Sequence, residues 1–280
     1  MMTCDLHTHS VFSDGTYTPA EIIDAAIGLD LTAVALCDHN TVDGLPGFLA
    51  AAEGKNIEAI CGAEFSVDYS GTELHLLGLF IPQDRFSQIS RLMEKATERK
   101  RKSNLDLIDA LNRAGYPVSF EEIARATPNG KFNRAHIARA LTEKGCTASI
   151  KEAFDTLLSP SAGFYKEPQR ISFWEMLDCL TSIGAVPVLA HPFLNLDASR
   201  LAALLPLAKE KGLAGMECVY SLYDEATTEI SFDLARQFGL KFSGGSDFHG
   251  STKPDIALGT GRGNLNIPYE WVAMLKKAAQ

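Results

Sequence analysis

The chain has no paired-cysteine motif, no excess of basic charge and no long apolar run, and each absence removes a class of protein. Its six cysteines, Cys4, Cys37, Cys61, Cys146, Cys179 and Cys218, lie far apart. Without a CxxC pair or a tight disulfide framework they read as small buried hydrophobes. Lys and Arg number 26 against 35 Asp and Glu, a formal charge of −9. Proteins that hold long nucleic acids by neutralising many phosphates carry the opposite balance, so no long nucleic acid is expected as a partner, while a local basic pocket stays open. No apolar stretch approaches the ~18 residues a membrane span needs. The N-terminus also lacks the basic start and apolar stretch of a signal peptide, so a cytoplasmic protein with no membrane partner is the expectation. Internal repeats and low-complexity segments are missing too.

What is present is a 280-residue chain, 46% apolar and 22% charged. That composition can bury a large core, and barrel folds hold roughly 200–250 residues as one unit. Strands are expected at 3–6, 32–37, 57–60, 74–80, 186–190, 215–219 and 241–243. They alternate with amphipathic stretches, the order of parallel strands joined by crossover helices, so the fold class is α/β and seven strands suggest a barrel. Pro19 starts one helix, Ser172 with Glu175 has the pattern of a capping box, Asp197 can cap a third helix, and Gly212 and Gly239 end two. From 86 to 166 the alternation stops and only helices follow, with capping patterns at Ser119/Glu122 and Ser149/Glu152. We expect a barrel formed by 1–85 and 167–280 with an inserted all-helical lobe at 86–166. The Arg99-Lys100-Arg101-Lys102 run within the lobe reads as a solvated helix face.

Six of the seven histidines fall at the ends of expected strands: His7 and His9 in DLHTHS, His39 in CDHN, His75 in ELHLLG, His191 in LAHP and His249 in SDFHG. In a parallel barrel the C-terminal strand ends meet at one face, which brings distant residues together. His7 and His9 are two apart on an extended chain and share a face. Asp14, Asp38, Glu64 and Asp247 are interleaved with them. Carboxylates crowded in this way repel one another unless cations intervene, so a metal site is expected.

HTHS with the following SDG, CDHN, GAEFS, LHLLG, AHP and SDFH, in this order, resemble the polymerase and histidinol phosphatase (PHP) superfamily of metal-dependent phosphoesterases. The resemblance implies a distorted (β/α)7 barrel with about two or three divalent ions at its mouth. It places His7, His9, Glu64 and Asp247 on the first ion, Glu64, His75 and His191 on the second, and Asp14, His39 and His249 on the third. Asp14, Glu64, His191 and Asp247 carry the catalysis, by attack of a metal-bound hydroxide on phosphorus. Asp14 replaces the histidine of many relatives, which resembles a subgroup that also bears a helical insertion. That subgroup implies removal of the 3′-phosphate from nucleoside 3′,5′-bisphosphates, alongside 5′ to 3′ trimming of short RNA. The partner is then a small phosphorylated nucleotide or short oligonucleotide. Nitrogen and oxygen donors suit manganese, zinc or iron, with magnesium less suited. Asp38 is expected to orient a ligand.

GKFNRAHIARAL resembles the subgroup segment in which a phenylalanine, an arginine and a histidine precede a helix, here Phe132, Arg134 and His136. Arg134 either grips a second phosphate bidentately or starts a helix at the surface, and His136 either binds substrate or joins the lobe core. Lys166 and Arg170 either contact phosphate or stay exposed. Phe132, Phe164 and Tyr165 either stack on a base or form the lobe core. The GRGNLN run lacks the strand-turn-helix context of a dinucleotide site. Ser246 beside Asp247 and His249 is not a hydrolytic triad, because the acid and imidazole are better used as ligands. Two alternatives remain, histidinol-phosphate phosphatase and a non-catalytic metal- or partner-binding module.

Overall fold

The apolar runs become strands buried on both faces, as a helix-covered sheet requires. In the computed structural model, which describes residues 2–125, 134–168 and 170–278, they are β1 (Thr3–Thr8), β2 (Ala33–Leu36), β3 (Glu58–Tyr69), β4 (Thr72–Leu79), β5 (Ile171–Ser172), β6 (Val186–Ala190), β7 (Gly215–Tyr220), β8 (Lys241–Gly245) and β9 (Ile267–Pro268). One sheet runs in the order β8-β7-β6-β4-β3-β2-β1-β9, with β5 beside β3. Beyond β8 the chain returns to β1: the Asp247 N–H donates to the His7 carbonyl at 2.8 Å and the His9 N–H to the Phe248 carbonyl at 2.9 Å. Asp5, fully buried, accepts from the backbone and hydroxyl of Ser246 and from the N–H groups of His7 and Gly259. These bonds curl the sheet into a nearly closed barrel whose interior is filled by Leu6, Ala35, Ile60, Leu77, Val188 and Ile267.

Two features depart from the expected all-parallel set. The strand expected at 57–60 runs on to Tyr69, and β4 is antiparallel to both β3 and β6. Ser70 and Gly71 have φ values of 51° and 80° between the paired Tyr69 and Thr72. Positive φ at both central residues is the condition of a type I′ hairpin turn, which returns the chain antiparallel. The short strands β5 and β9 were also unforeseen.

The α-helices among the described residues are α1 (Pro19–Gly28), α2 (Leu45–Ala52), α3 (Phe86–Arg113), α4 (Phe120–Arg125), α5 (Arg134–Glu143), α6 (Ile150–Asp155), α7 (Phe173–Ser182), α8 (Ala198–Glu210), α9 (Glu225–Gln237) and α10 (Glu270–Lys276). α2 and α10 were not anticipated. Thr18 and Glu21 form a reciprocal capping box before α1, while Ser172, Asp197 and Asp224 each accept the N–H three residues on. The chain divides into two compact units, Met1–Arg91 with Ile171–Gln280, and Leu92–Arg170. The second unit has its own core of Leu107, Leu111, Ile123, Ile137, Leu141 and Tyr165. Its start lies inside α3, later than the residue 86 expected from the loss of alternation.

Candidate metal centre

The strands and the loops that follow them deliver the side chains. His7 lies in β1 with His9 just past it, Asp38 and His39 follow β2, Glu64 is central in β3, His191 follows β6, and Asp247 and His249 follow β8. Because β4 is antiparallel, it brings His75 from near its start, in register with Ser66 on one side and Ala190 on the other. His191 and Asp247 adopt positive φ values of 24° and 57°. Such backbone strain outside glycine persists only where the surroundings enforce it, and it concentrates at functional sites.

Glu64 is the hub. Its Oε1 lies 2.7 Å from His75 Nδ1 and 2.9 Å from His191 Nε2, and its Oε2 lies 3.2 Å from His7 Nε2, 3.3 Å from His9 Nε2 and 3.0 Å from His39 Nδ1. Asp247 Oδ1 stands 3.1 Å from His9 Nε2. Asp14, half-exposed, has Oδ1 3.2 Å from His249 Nε2 and Oδ2 3.7 Å from His39 Nε2. The His9 and His249 rings stack with centroids 4.1 Å apart.

At His7, His9, His39, His75, Asp14, Glu64 and Asp247 burial disfavours charge, and the outcome depends on the neighbours. At His9 burial is outweighed by the Asp247 and Glu64 carboxylates beside it, which lift its pKa to about 9. His75 is lifted against burial to about 10 by Glu64, and His7 rises well above its ordinary value through Glu64 and Glu217. For His39 burial wins and its pKa falls to about 4. The Asp14, Glu64 and Asp247 carboxyls are held below the usual carboxylate range, because the surrounding imidazoles overcome the burial that opposes it.

His7, His9, Glu64 and Asp247 form one group whose potential ligand atoms all lie within 4.8 Å of one another, matching the first ion's expected set. A second group joins Asp14, His39 and His249, as expected, with His9 in addition. The expected Glu64, His75 and His191 set is divided: His75 groups with His39 and Glu64, and His191 with His7 and Glu217. Both histidines nonetheless touch the same Glu64 oxygen. Asp38 is directed to the β1–α1 loop rather than to its neighbour His39. It accepts from the Ser10 N–H and hydroxyl and from the Ser13 hydroxyl, anchoring the loop that carries Asp14.

Three residues escaped the sequence reading. Glu217 is fully buried in β7, with Oε1 3.0 Å from His7 Nδ1. Tyr220 and Lys253 both reach Asp247 Oδ2. Only Glu217 left a signal, as a lone acid within an apolar strand, which is costly to bury without partners. Ser246 donates its hydroxyl to Asp5 and is no nucleophile.

In the helical unit, the Arg134 guanidinium lies over the Tyr165 ring at 4.1 Å and over Phe154 at 5.7 Å. His136 is half-buried in α5, Lys166 is exposed, and Arg170 Nη1 lies 3.6 Å from Glu167 Oε2. Tyr165 belongs to the lobe core and Phe164 packs against it, so these two serve the core. Phe132 lies outside the described residues.

His7 Nε2, His9 Nε2, His39 Nδ1 and Glu64 Oε2 are buried with no hydrogen-bond partner among the described residues. Buried polar atoms are seldom left so, and here four of them converge. Imidazole and carboxylate donors facing a common space fit divalent cations of the manganese, zinc and iron type. No cysteine joins these groups.

The chain is similar to known proteins. The PHP domain family matches residues 5–170. A 5′-3′ exoribonuclease of Haemophilus influenzae is 28% identical over 246 residues, 88% of this chain and 89% of the relative. A 3′,5′-nucleoside bisphosphate phosphatase of Chromobacterium violaceum is 30% identical over 257 residues, 89% and 88% of the two chains. Among solved structures, a Bifidobacterium adolescentis protein provisionally assigned as a metal-dependent phosphoesterase superposes with a TM-score of 0.78 at 25% identity, covering 99% of this chain and 96% of the other. Matches along nearly the full length of relatives named as enzymes set aside the non-catalytic alternative. Among the described residues no helix is long and apolar enough to cross a membrane. The chain belongs to the PHP domain family and is a metal-dependent phosphoesterase of that family.

Proposed function

We propose that the protein removes the 3′-phosphate from nucleoside 3′,5′-bisphosphates and also trims short RNA in the 5′ to 3′ direction. What carries this assignment is the Glu64 carboxylate faced by five imidazoles and flanked by Asp247 and Asp14, a donor set for adjacent cations. Relatives named for these two activities support the substrate class.

Bound divalent cations would supply water activation and neutralise charge on the non-bridging phosphate oxygens. His7, His9, Glu64 and Asp247 would hold one cation, Glu64, His75 and His191 a second, and Asp14, His39 and His249 a third. Manganese, zinc or iron suits this chemistry. Asp14, Glu64, His191 and Asp247 are the side chains on which turnover depends most. Asp14, Glu64 and Asp247 stay ionised throughout the neutral range, because their carboxyls titrate below the usual range. Tyr220, whose hydroxyl burial and Asp247 keep protonated, donates to Asp247 and holds that carboxylate's orientation.

Arg134, His136, Lys166 and Arg170 are assigned to the second phosphate. The Arg134 guanidinium lies 4.1 Å from the centre of the Tyr165 ring, and its fork matches two phosphate oxygens. Turnover of adenosine 3′,5′-bisphosphate, a 5′-phosphorylated short oligoribonucleotide and histidinol phosphate, measured side by side in manganese, tests the assignment. The bisphosphate is expected to have the highest kcat/KM, and a strong preference for histidinol phosphate overturns it.

A further inference from the structure

Glu217 is fully buried in the middle of β7, between Met216 and Cys218, where a carboxylate without work to do is costly. Its two oxygens are committed to different partners. Oε1 lies 3.0 Å from His7 Nδ1, and Oε2 accepts the backbone N–H of His191 at 2.8 Å. Both partners are ligands in the function proposed above, and this inference rests on that assignment. His7 turns its other nitrogen, Nε2, to Glu64 Oε2 at 3.2 Å and Asp247 Oδ1 at 3.7 Å. His191, at φ 24° and ψ 54°, occupies backbone space that a residue with a side chain rarely enters, and it turns Nε2 to Glu64 Oε1 at 2.9 Å.

We propose that Glu217 is the positioning residue of the metal centre. By accepting at Nδ1 it keeps the His7 proton there, so that the Nε2 lone pair faces the cation position, and through the His191 N–H it holds that residue in its strained conformation. His7, His191 and Glu217 could themselves be taken for a ligand trio. With each Glu217 oxygen already accepting from an N–H, however, the carboxylate acts through the two histidines. Its own oxygens do not meet the cation. An acid is needed because both partners donate. An amide offers one acceptor and one donor. If its NH2 faces His7, the imidazole must accept at Nδ1 and carry its proton on Nε2, the atom a metal requires. If its NH2 faces His191, two donors oppose each other.

The test is Glu217→Gln, which keeps shape and volume. Zinc, a diamagnetic probe, is titrated into wild-type and variant proteins against a competing chelator. The histidine ring tautomers of the zinc-loaded proteins are then read from long-range 1H–15N spectra, with the His7 signals assigned by their loss in His7→Gln. We expect roughly tenfold to hundredfold weaker zinc binding in the variant. We also expect His7 to be protonated on Nδ1 in the wild type, with that state reduced in the variant. Unchanged affinity and an unchanged His7 tautomer overturn the proposal. So does a variant that only melts earlier while binding zinc as the wild type does. If Glu217→Gln does not fold, the zinc-loaded wild type decides alone: a His7 proton on Nδ1 supports the proposal and a proton elsewhere overturns it. Wild-type protein that binds no zinc at all overturns the ligand assignment together with this inference, whereas an unaffected variant of a zinc-binding wild type overturns this inference alone.

Discussion

The Tyr220 hydroxyl donates to Asp247 Oδ2 at 2.8 Å. Lys253 Nζ lies 2.7 Å from the same oxygen, so only Oδ1 of Asp247 is left to face His9. Groups that orient a ligand in this way typically contribute about tenfold or more to metal affinity. Tyr220→Phe should therefore weaken metal binding by about that factor. Lys253→Ala should cost less, because the ammonium of this half-buried side chain is partly screened by solvent. Chelator competition on both variants checks this, and Tyr220→Phe binding as tightly as the wild type contradicts it.

Much of the candidate metal centre was legible in the sequence because His9, His39, His191, Asp247 and His249 lie just after strands, and a barrel gathers strand ends whatever their spacing. HTHS, CDHN and SDFHG announce themselves as polar clusters after apolar runs. Glu217 left only the weaker mark of one acid within MECVY, which looks like a surface position until the strand is known to be buried on both sides. The antiparallel β4 was missed for a different reason: only the Ser70-Gly71 pair signals the turn, and Ser-Gly is a weaker hairpin marker than Asn-Gly. The division of His75 and His191 between groups depends on side-chain reach in three dimensions, which linear spacing does not encode.

Acid–base linkage gives the metal-free protein a characteristic pH response. His7, His9 and His75 have folded-state pKa values raised above the ordinary 6.5, to about 9 and about 10 for the latter two. Their stabilisation is complete below about 6.5 and fades as pH rises through those values, because the folded state loses the protons it held in excess. His39, lowered to about 4, opposes this only below about 6.5. The Tm of chelated protein should fall between about pH 6.5 and about 10. Metal uptake displaces these same protons, so apparent metal affinity should rise across that interval. Thermal scans with and without metal check both signs; a chelated protein that gains stability toward pH 9 contradicts them.

Gly245 is required by close approach, since a Cβ there would lie 2.2 Å from His7 Cβ and 2.6 Å from the His7 nitrogen. Gly245→Ala should destabilise the protein by about 1–3 kcal/mol as β1 and β8 are forced apart. It should also weaken metal binding through the displaced His7. Urea unfolding at fixed metal concentration measures the first effect, and a midpoint equal to that of the wild type contradicts the packing.

Arg134→Ala should raise KM for adenosine 3′,5′-bisphosphate at least tenfold while leaving hydrolysis of a simple aryl phosphate nearly unchanged, because the latter has no second phosphate to hold. Steady-state kinetics on the two substrates decides. Equal losses on both remove Arg134 from substrate recognition.

Glu64 is the centre of the account, and the most direct measurement is metal content followed together with phosphate release in a single sample through chelation and reloading. We predict that both fall together, that both return with manganese or zinc, and that Glu64→Gln recovers neither in full. Phosphate release at the wild-type rate from protein shown to be free of metal contradicts the account.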